Sequence, residues 1–316
     1  FHIHTDSKGR IGIATFGGGL DRAVENEDGS FSFRHFLNNN YSIRQMRVIS
    51  EDKNGMLWCG SDDGLLVFHP DSLINDPTRY YHYNYQGGQL KNNEVRALLY
   101  DSKGNMWIGT AGSGLSVCKP DNDYESLSFQ SMMTENGLVN NTIQSLVEDR
   151  FNNIWITTEY GISRLLTRNN TFENYSFSIY GLGNAYCENS ACMNDYGELI
   201  FGSNHGLIVI NPSTLKKVAF SSPIVFTNLT INGIETNASD KEAPMLQSLS
   251  YSDKLILNHK QNTFSLDFST FNFSEADMTK YSYILDNYDK KWSTAAKENK
   301  ASYKNIPPGK YTLRVR

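Results

Sequence analysis

Four polar residues, Arg47, Arg96, Gln144 and Asn189, stand at the same distance before a recurring turn and are flanked mostly by apolar or small residues. Guanidinium and amide groups are planar hydrogen-bond donors that suit hydroxyl-rich ligands, so an arc of them is a candidate sugar-binding rim. Tyr160 and Tyr186 lie near enough in the repeat to supply an aromatic platform for a sugar ring, and Asp63 and His205 fall at neighbouring turn tips. The same donors would serve equally as a solvated lining paired with Glu94 or Glu188. Sequence leaves both readings open.

Other chemistry has weaker signals. There is no phosphate-binding loop with its Lys-Ser/Thr, no G-x-S-x-G elbow, no H-E-x-x-H and no dinucleotide fingerprint. Gly17-Gly18-Gly19 occupies the place of the turns at Asp62-Asp63-Gly64 and Ala111 to Gly114, and so reads as a hairpin turn. Glu94, Glu148 and Glu188 near inner strands keep a propeller glycoside hydrolase or lyase as one alternative function, because such chemistry needs two suitably separated carboxylates, and a non-catalytic interaction scaffold is the other. Cys59, Cys118, Cys187 and Cys192 show no zinc-ligand spacing, and Asp121-Asn122-Asp123 lacks the spaced ligands of a calcium loop. No metal or other cofactor is expected. Cys187 and Cys192 should point to opposite faces of one strand, which disfavours a bridge and makes the cysteines read as small buried residues.

The elements that position these residues come from an internal repeat of roughly 45 to 49 residues, the period of propeller blades. Asp52-Lys53-Asn54-Gly55 leads into Met56-Leu57-Trp58-Cys59-Gly60-Ser61 and Gly64-Leu65. Asp101-Ser102-Lys103-Gly104 leads into Asn105-Met106-Trp107-Ile108-Gly109-Thr110 and Gly114-Leu115. A third copy carries Asp149 and Trp155, and degenerate copies run from Asp6 to Leu20 and from Asn194 to Leu207, with Gly12 and Ile200 at the tryptophan position. The Asp/Asn-x-x-Gly stretches are turns, since an Asx side chain bonds the backbone ahead of it and glycine accepts positive φ. Strands before and after each turn, with an outer one such as Leu127-Ser128-Phe129, make a four-stranded meander, the unit of a β-propeller. Trp58, Trp107 and Trp155 are expected to be buried between neighbouring blades, and the blades without them to pack less well. Alternating strand direction should bring the starts of the inner strands and the hairpins between second and third strands to one end, where the candidate rim lies.

The period stops after Ser221-Ser222-Pro223, so propeller blades are expected over 1–221 and a second domain over 222–316. Strand alternation at Ile224 to Ile231, Leu255 to Leu257, Thr263 to Phe268, Tyr281 to Leu285 and Tyr311 to Val315 gives an immunoglobulin-like β-sandwich, making the chain all-β throughout. Net charge is -5, without the basic excess that nucleic acid or an anionic membrane surface requires, so direct contact with either is not expected. No apolar run spans a bilayer. Phe1 is not an initiator methionine and Arg316 ends inside a strand pattern, so the chain reads as an excised segment.

The motif Asp-x-x-Gly-x-x-Trp-x-Gly-Thr followed by Gly-Leu resembles the two-component regulator propeller repeat. The stretch Tyr281-Ser282-Tyr283-Ile284-Leu285-Asp286-Asn287-Tyr288-Asp289-Lys290-Lys291-Trp292, with Tyr303 to Tyr311, resembles the Y_Y_Y domain. The resemblance implies the sensory region of a Bacteroidetes-type hybrid histidine kinase: the end of a larger propeller followed by most of the sandwich, in the periplasm. It also implies an oligosaccharide signal, homodimerisation through the parent receptor, and no catalysis by this segment itself. Asn287 stands where that family usually has glycine, which a positive-φ turn tolerates. Tyr283, Tyr288 and Tyr311 read as packing residues of a sandwich that acts as a mechanical link and not as a ligand site.

Overall fold

The computed structural model describes residues 1–37, 43–177, 185–215, 223–240, 243–271 and 279–316. The chain divides into two compact units, Phe1–Lys216 and Lys217–Arg316. The expected boundary at 221/222 lies outside the described residues.

The first unit is a series of antiparallel sheets in sequence order. Blade 1 comprises His2–Thr5, Ile11–Thr15, Gly19–Glu25 and Phe31–Phe36; blade 2 comprises Met46–Glu51, Leu57–Ser61, Gly64–Phe68 and Tyr81–Tyr83. Blade 3 comprises Val95–Tyr100, Met106–Thr110, Leu115–Cys118 and Gln130–Met132; blade 4 comprises Ile143–Glu148, Ile154–Thr158, Gly161–Leu166 and Thr171–Tyr175. Blade 5 has three strands among the described residues, Tyr186–Met193, Leu199–Ser203 and Gly206–Ile210. The outer strand of blade 3 begins just beyond the expected Leu127-Ser128-Phe129, because the polar Asp123 turn takes up the intervening residues.

Each core of this unit is an interface between consecutive blades. Trp58 packs with Val95, Met106 and Ile108 of blade 3, Trp107 with Ile143, Leu146 and Ile156 of blade 4, and Trp155 with Leu199, Phe201 and Ile208 of blade 5. The three indoles are at most 5% exposed, as the repeat predicts. Their N–H groups donate to the turn aspartates six residues earlier: Trp58 to Asp52 at 2.9 Å, Trp107 to Asp101 at 2.7 Å and Trp155 to Asp149 at 2.8 Å. The other carboxylate oxygen of each aspartate holds the turn backbone, as in Lys103 N and Asn105 N donating to Asp101. A buried carboxylate and a buried indole N–H, each costly alone, thus satisfy one another.

Blade 1 shows the cost of losing the indole. With Gly12 at that position, Asp6 is instead bonded by Arg10 Nε at 2.5 Å, and an apolar cavity of about 40 Å³ opens among Gly12, Leu20, Phe36, Ile49, Leu57, Phe68 and the short helix Pro70–Asn75. A void of this kind forfeits dispersion contacts along its lining.

Among its described residues the second unit has two sheets. Ile234–Glu235, Ile224–Ile231, Phe264–Thr270 and Lys300–Tyr303 form one in that order, and Tyr283–Asp286 pairs with Thr312–Val315 in the other. Phe268, Leu285, Ala301, Tyr303 and Ile306 fill the space between them. Leu255 to Leu257, expected as a strand, forms no ladder; Leu255 and Leu257 pack against the core around Leu229 and Leu266 while Ile256 is exposed, so hydrophobic alternation is satisfied without pairing.

Candidate functional site

The hairpin tips and the starts of the first strands meet at one end of the first unit, through a repeated backbone bond. Asp62 N donates to Gln45 O, Ala111 N to Glu94 O, Glu159 N to Thr142 O and Asn204 N to Ala185 O. The tips also reach the following blade, with Gly64 N donating to Asn93 O and Gly114 N to Asn141 O.

Three of the four aligned polar residues share a local deformation. Met46 pairs with Ser61 and Val48 with Gly60, leaving Arg47 as an extra residue; Arg96 is the extra residue between Val95 and Ala97, and Gln144 between Ile143 and Ser145. Each is a one-residue β-bulge, a device that re-aims a side chain out of the ladder. In blade 5 the irregularity is wider: Tyr186 pairs with Ser203 and Ala191 with Phe201, so 187–190 bow out, with Asn189 at φ 51°.

The bulges bring charged groups together. Arg47 donates from Nε to Asp62 Oδ1 at 2.6 Å, reaches Glu188 at 3.0 Å and Glu94 at 3.1 Å, and lies over the Phe16 ring. Arg96 donates to Glu94 at 2.8 Å and lies 3.4 Å from both Glu159 and Glu188. Burial works against the Arg47 charge, but the bond to Asp62 and the fields of Glu188, Asp62 and Glu94 outweigh it and raise its pKa. Asn189 Nδ2 donates to Arg47 O at 3.3 Å. Arg47, Arg96 and Asn189 therefore converge, but as a network with four carboxylates and not as an arc of uncommitted donors. Gln144 is 6% exposed at the equivalent bulge, and its Oε1 is buried without a hydrogen-bond partner among the described residues.

The remaining candidates divide. Asp63 sits at a tip, where Asn93 Nδ2 donates to its carboxylate at 3.4 Å and His82 Nε2 lies 2.5 Å from its carbonyl oxygen. Tyr160 is partly exposed at the blade 4 tip beside Glu159, and His205 is exposed at the blade 5 tip. Tyr186 is a correction. It is 4% exposed and packs with Val147, Trp155 and Ile162, so its ring offers no face to a ligand; burial also pushes its hydroxyl pKa up. A tyrosine opening a strand next to a blade interface is drawn inward by its apolar area. Cys192 is exposed and Cys187 partly so, unlike buried Cys59 and Cys118; all four are free thiols.

Sequence reasoning missed Asp62 and Glu159 as partners of the arginines. The signal was present: both are acidic residues directly following the second strand, on the tips that the repeat brings to this end. Among the described residues, no group of three or more His, Cys, Asp or Glu side chains is arranged to hold a metal ion, and no helix is long and apolar enough to cross a membrane.

Comparison with known proteins places these features. Residues 89–112 and 137–160 match the two component regulator propeller model, and residues 272–316 match the Y_Y_Y domain. No curated protein matches in sequence. Among solved structures, the chain is similar to the extracellular domain of a B. thetaiotaomicron protein described as a hybrid two component system, at 19% identity over 99% of this chain and 54% of that one, with a TM-score of 0.56. A second such extracellular domain from the same organism is 24% identical over 99% of this chain and 52% of that one, with a TM-score of 0.46. Virginiamycin B lyase from Staphylococcus aureus is 10% identical over 95% of this chain and 92% of that one, with a TM-score of 0.50. The chain spans about half the length of the extracellular domains it matches. The likeness at a TM-score of 0.56, together with the propeller model match, shows the propeller fold. The sequence models identify the two kinds of unit.

Proposed function

We propose that this chain, which carries two-component regulator propeller repeats followed by a Y_Y_Y domain, is part of the extracytoplasmic sensor of a hybrid two-component receptor. The observation that carries this reading is the order of those two units in one chain. The segment lies in the periplasm, belongs to a receptor that dimerises, and passes a binding event toward a cytoplasmic kinase without catalysing a reaction itself.

The signal is an oligosaccharide engaged at the end of the propeller where Arg47, Arg96, Asn189, Tyr160, Asp63 and His205 lie. Support comes from the bulges, which repeat one deformation at the same strand position in three blades, and from the convergence of Arg47, Arg96 and Asn189. A hydroxyl-rich ligand supplies both donors for the carboxylates and acceptors for the guanidinium groups. Glu94 and Glu188 favour this reading over a hydrolase or lyase, because their oxygens face guanidinium groups at 2.8 to 3.4 Å and so already have partners.

A thermal-shift screen of plant and host oligosaccharides on the complete ectodomain tests the proposal. A ligand at 100 times its dissociation constant raises stability by about 2.7 kcal/mol. Arg96→Ala and Tyr160→Ala should each weaken that ligand's binding. If both leave affinity within about twofold, this end of the propeller is not the site.

A further inference from the structure

Tyr283, Tyr288, Asp289, Lys291, Ser293, Ser302, Tyr303 and Lys304 line an open cleft of about 440 Å³, within the size range of small-molecule sites. It opens beside strands of both sheets, Tyr283–Asp286 and Lys300–Tyr303.

Its floor is fixed. Tyr303 is buried, and its hydroxyl donates to Asp289 Oδ2 at 2.8 Å; Leu285 N donates to the same oxygen at 2.7 Å. Two donors on Oδ2 lock the carboxylate, and Oδ1 has no protein donor among the described residues. Tyr288 stands edge-on to Tyr303, with ring centroids 5.8 Å apart, and is 45% exposed, leaving much of its surface to the cleft. Lys291 and Lys304 are exposed at the rim and make no ion pair among the described residues.

We propose that this cleft binds an anionic saccharide. Exposed tyrosine surface suits the C–H face of a sugar ring, Asp289 Oδ1 and the serine hydroxyls suit its hydroxyl groups, and two ammonium groups against one carboxylate select a ligand that carries negative charge. A uronate carboxylate and a sulfate ester share that chemistry. The cleft is lined by residues of the second unit and the propeller site by residues of the first, so either proposal can fail without the other.

The test is calorimetric titration of the full chain with a galacturonate trimer, a sulfated heparin-derived disaccharide, neutral maltotriose and a hexaglutamate peptide. At least one anionic saccharide should bind, more weakly at high salt, while maltotriose binds at least about tenfold less tightly, a difference of about 1.4 kcal/mol. Binding of the trimer alone, the disaccharide alone or both identifies the source of the charge and supports the proposal. The double variant Lys291→Gln/Lys304→Gln, whose exposed positions keep the fold, should lose about tenfold in affinity, and Tyr288→Ala a comparable amount. Lys53→Gln/Lys119→Gln, which removes two exposed charges from the propeller unit, should leave this binding unchanged. The proposal is overturned if neither anionic saccharide binds, if maltotriose or hexaglutamate binds as tightly, or if the lysine variant binds like the parent.

Discussion

Asp101 and Trp107, six residues apart in sequence and both buried, are joined by a 2.7 Å hydrogen bond from the indole N–H to the carboxylate. The same pair recurs as Asp52 with Trp58 and Asp149 with Trp155. Asp101→Asn keeps the oxygen that holds the turn but turns an amide N–H₂ toward the indole N–H. It should cost about 1.5–3 kcal/mol. In a double-mutant cycle with Trp107→Phe, measured by urea unfolding, the two costs should fall short of additive when combined.

Glycines at neighbouring strand positions should respond oppositely to alanine. A Cβ on Gly12 meets Ile49 Cδ1 at 3.5 Å and His4 O and Leu20 Cδ1 at 3.9 Å, all ordinary van der Waals contacts, and enters the space beside the apolar cavity, so Gly12→Ala should stabilise by about 0.5–1 kcal/mol. A Cβ on Gly109 falls 2.5 Å from Ile143 Cγ2, so Gly109→Ala should destabilise by about 1–3 kcal/mol through overpacking. Unfolding midpoints of the two variants decide this directly.

Blade 1 should be sensitive to mild acid. Burial lowers the pKa values of His2, with the nearby His4 and N-terminal charges adding to the effect, and of His4. The fold therefore favours neutral imidazoles, and below pH 6.5 the unfolded chain binds protons that the folded chain refuses. This contribution is full above 6.5 and declines as pH falls toward the lowered folded values. Asp6, held below its ordinary value by Arg10 despite burial, acts in a separate window, losing its contribution only below about pH 3.8. Replacing His4 with leucine should flatten the dependence of Tm on pH just below 6.5 and leave the more acidic limb in place.

Apolar residues exposed on blades 1 and 5 predict self-association of the 316-residue chain. Ile3, Phe31 and Phe33 of blade 1, and Leu207 and Val209 of blade 5, are each at least half exposed, although equivalent faces of blades 2 to 4 are buried against neighbours. Apolar patches of this kind associate in water. Sedimentation of the 316-residue chain should show a concentration-dependent increase in mass. Leu207→Lys with Val209→Lys should reduce it.

The blades were legible in sequence because three physical requirements coincide in one short motif: a positive-φ glycine, an Asx turn and a tryptophan large enough to be noticed when it recurs. The aspartate's second task was not legible, since a turn accounts for it fully. The hint lay in blade 5, where Asn194 and Ile200 replace aspartate and tryptophan together. The alignment of Arg47, Arg96 and Gln144 was visible, but its cause was not, because a bulge at the same place in blades 2, 3 and 4 leaves their spacing to the turn unchanged. Tyr186 misled because its position at the start of a strand says nothing about which way its ring faces. Tyr288 and Tyr303, alike in sequence, differ only through where the two sheets leave the cleft open.

The one-residue bulges also separate two inheritances within a single strand. A residue inside the ladder is bound to its neighbours by alternation, so changing it disturbs a blade interface. The extra residue is exempt, which is why arginine, arginine and glutamine can occupy positions 47, 96 and 144 while the flanking Val48, Ala97 and Ile143 stay apolar and buried. A propeller built this way can vary what it displays blade by blade while its interfaces drift slowly. Divergent copies of the fold should therefore differ first at the bulges.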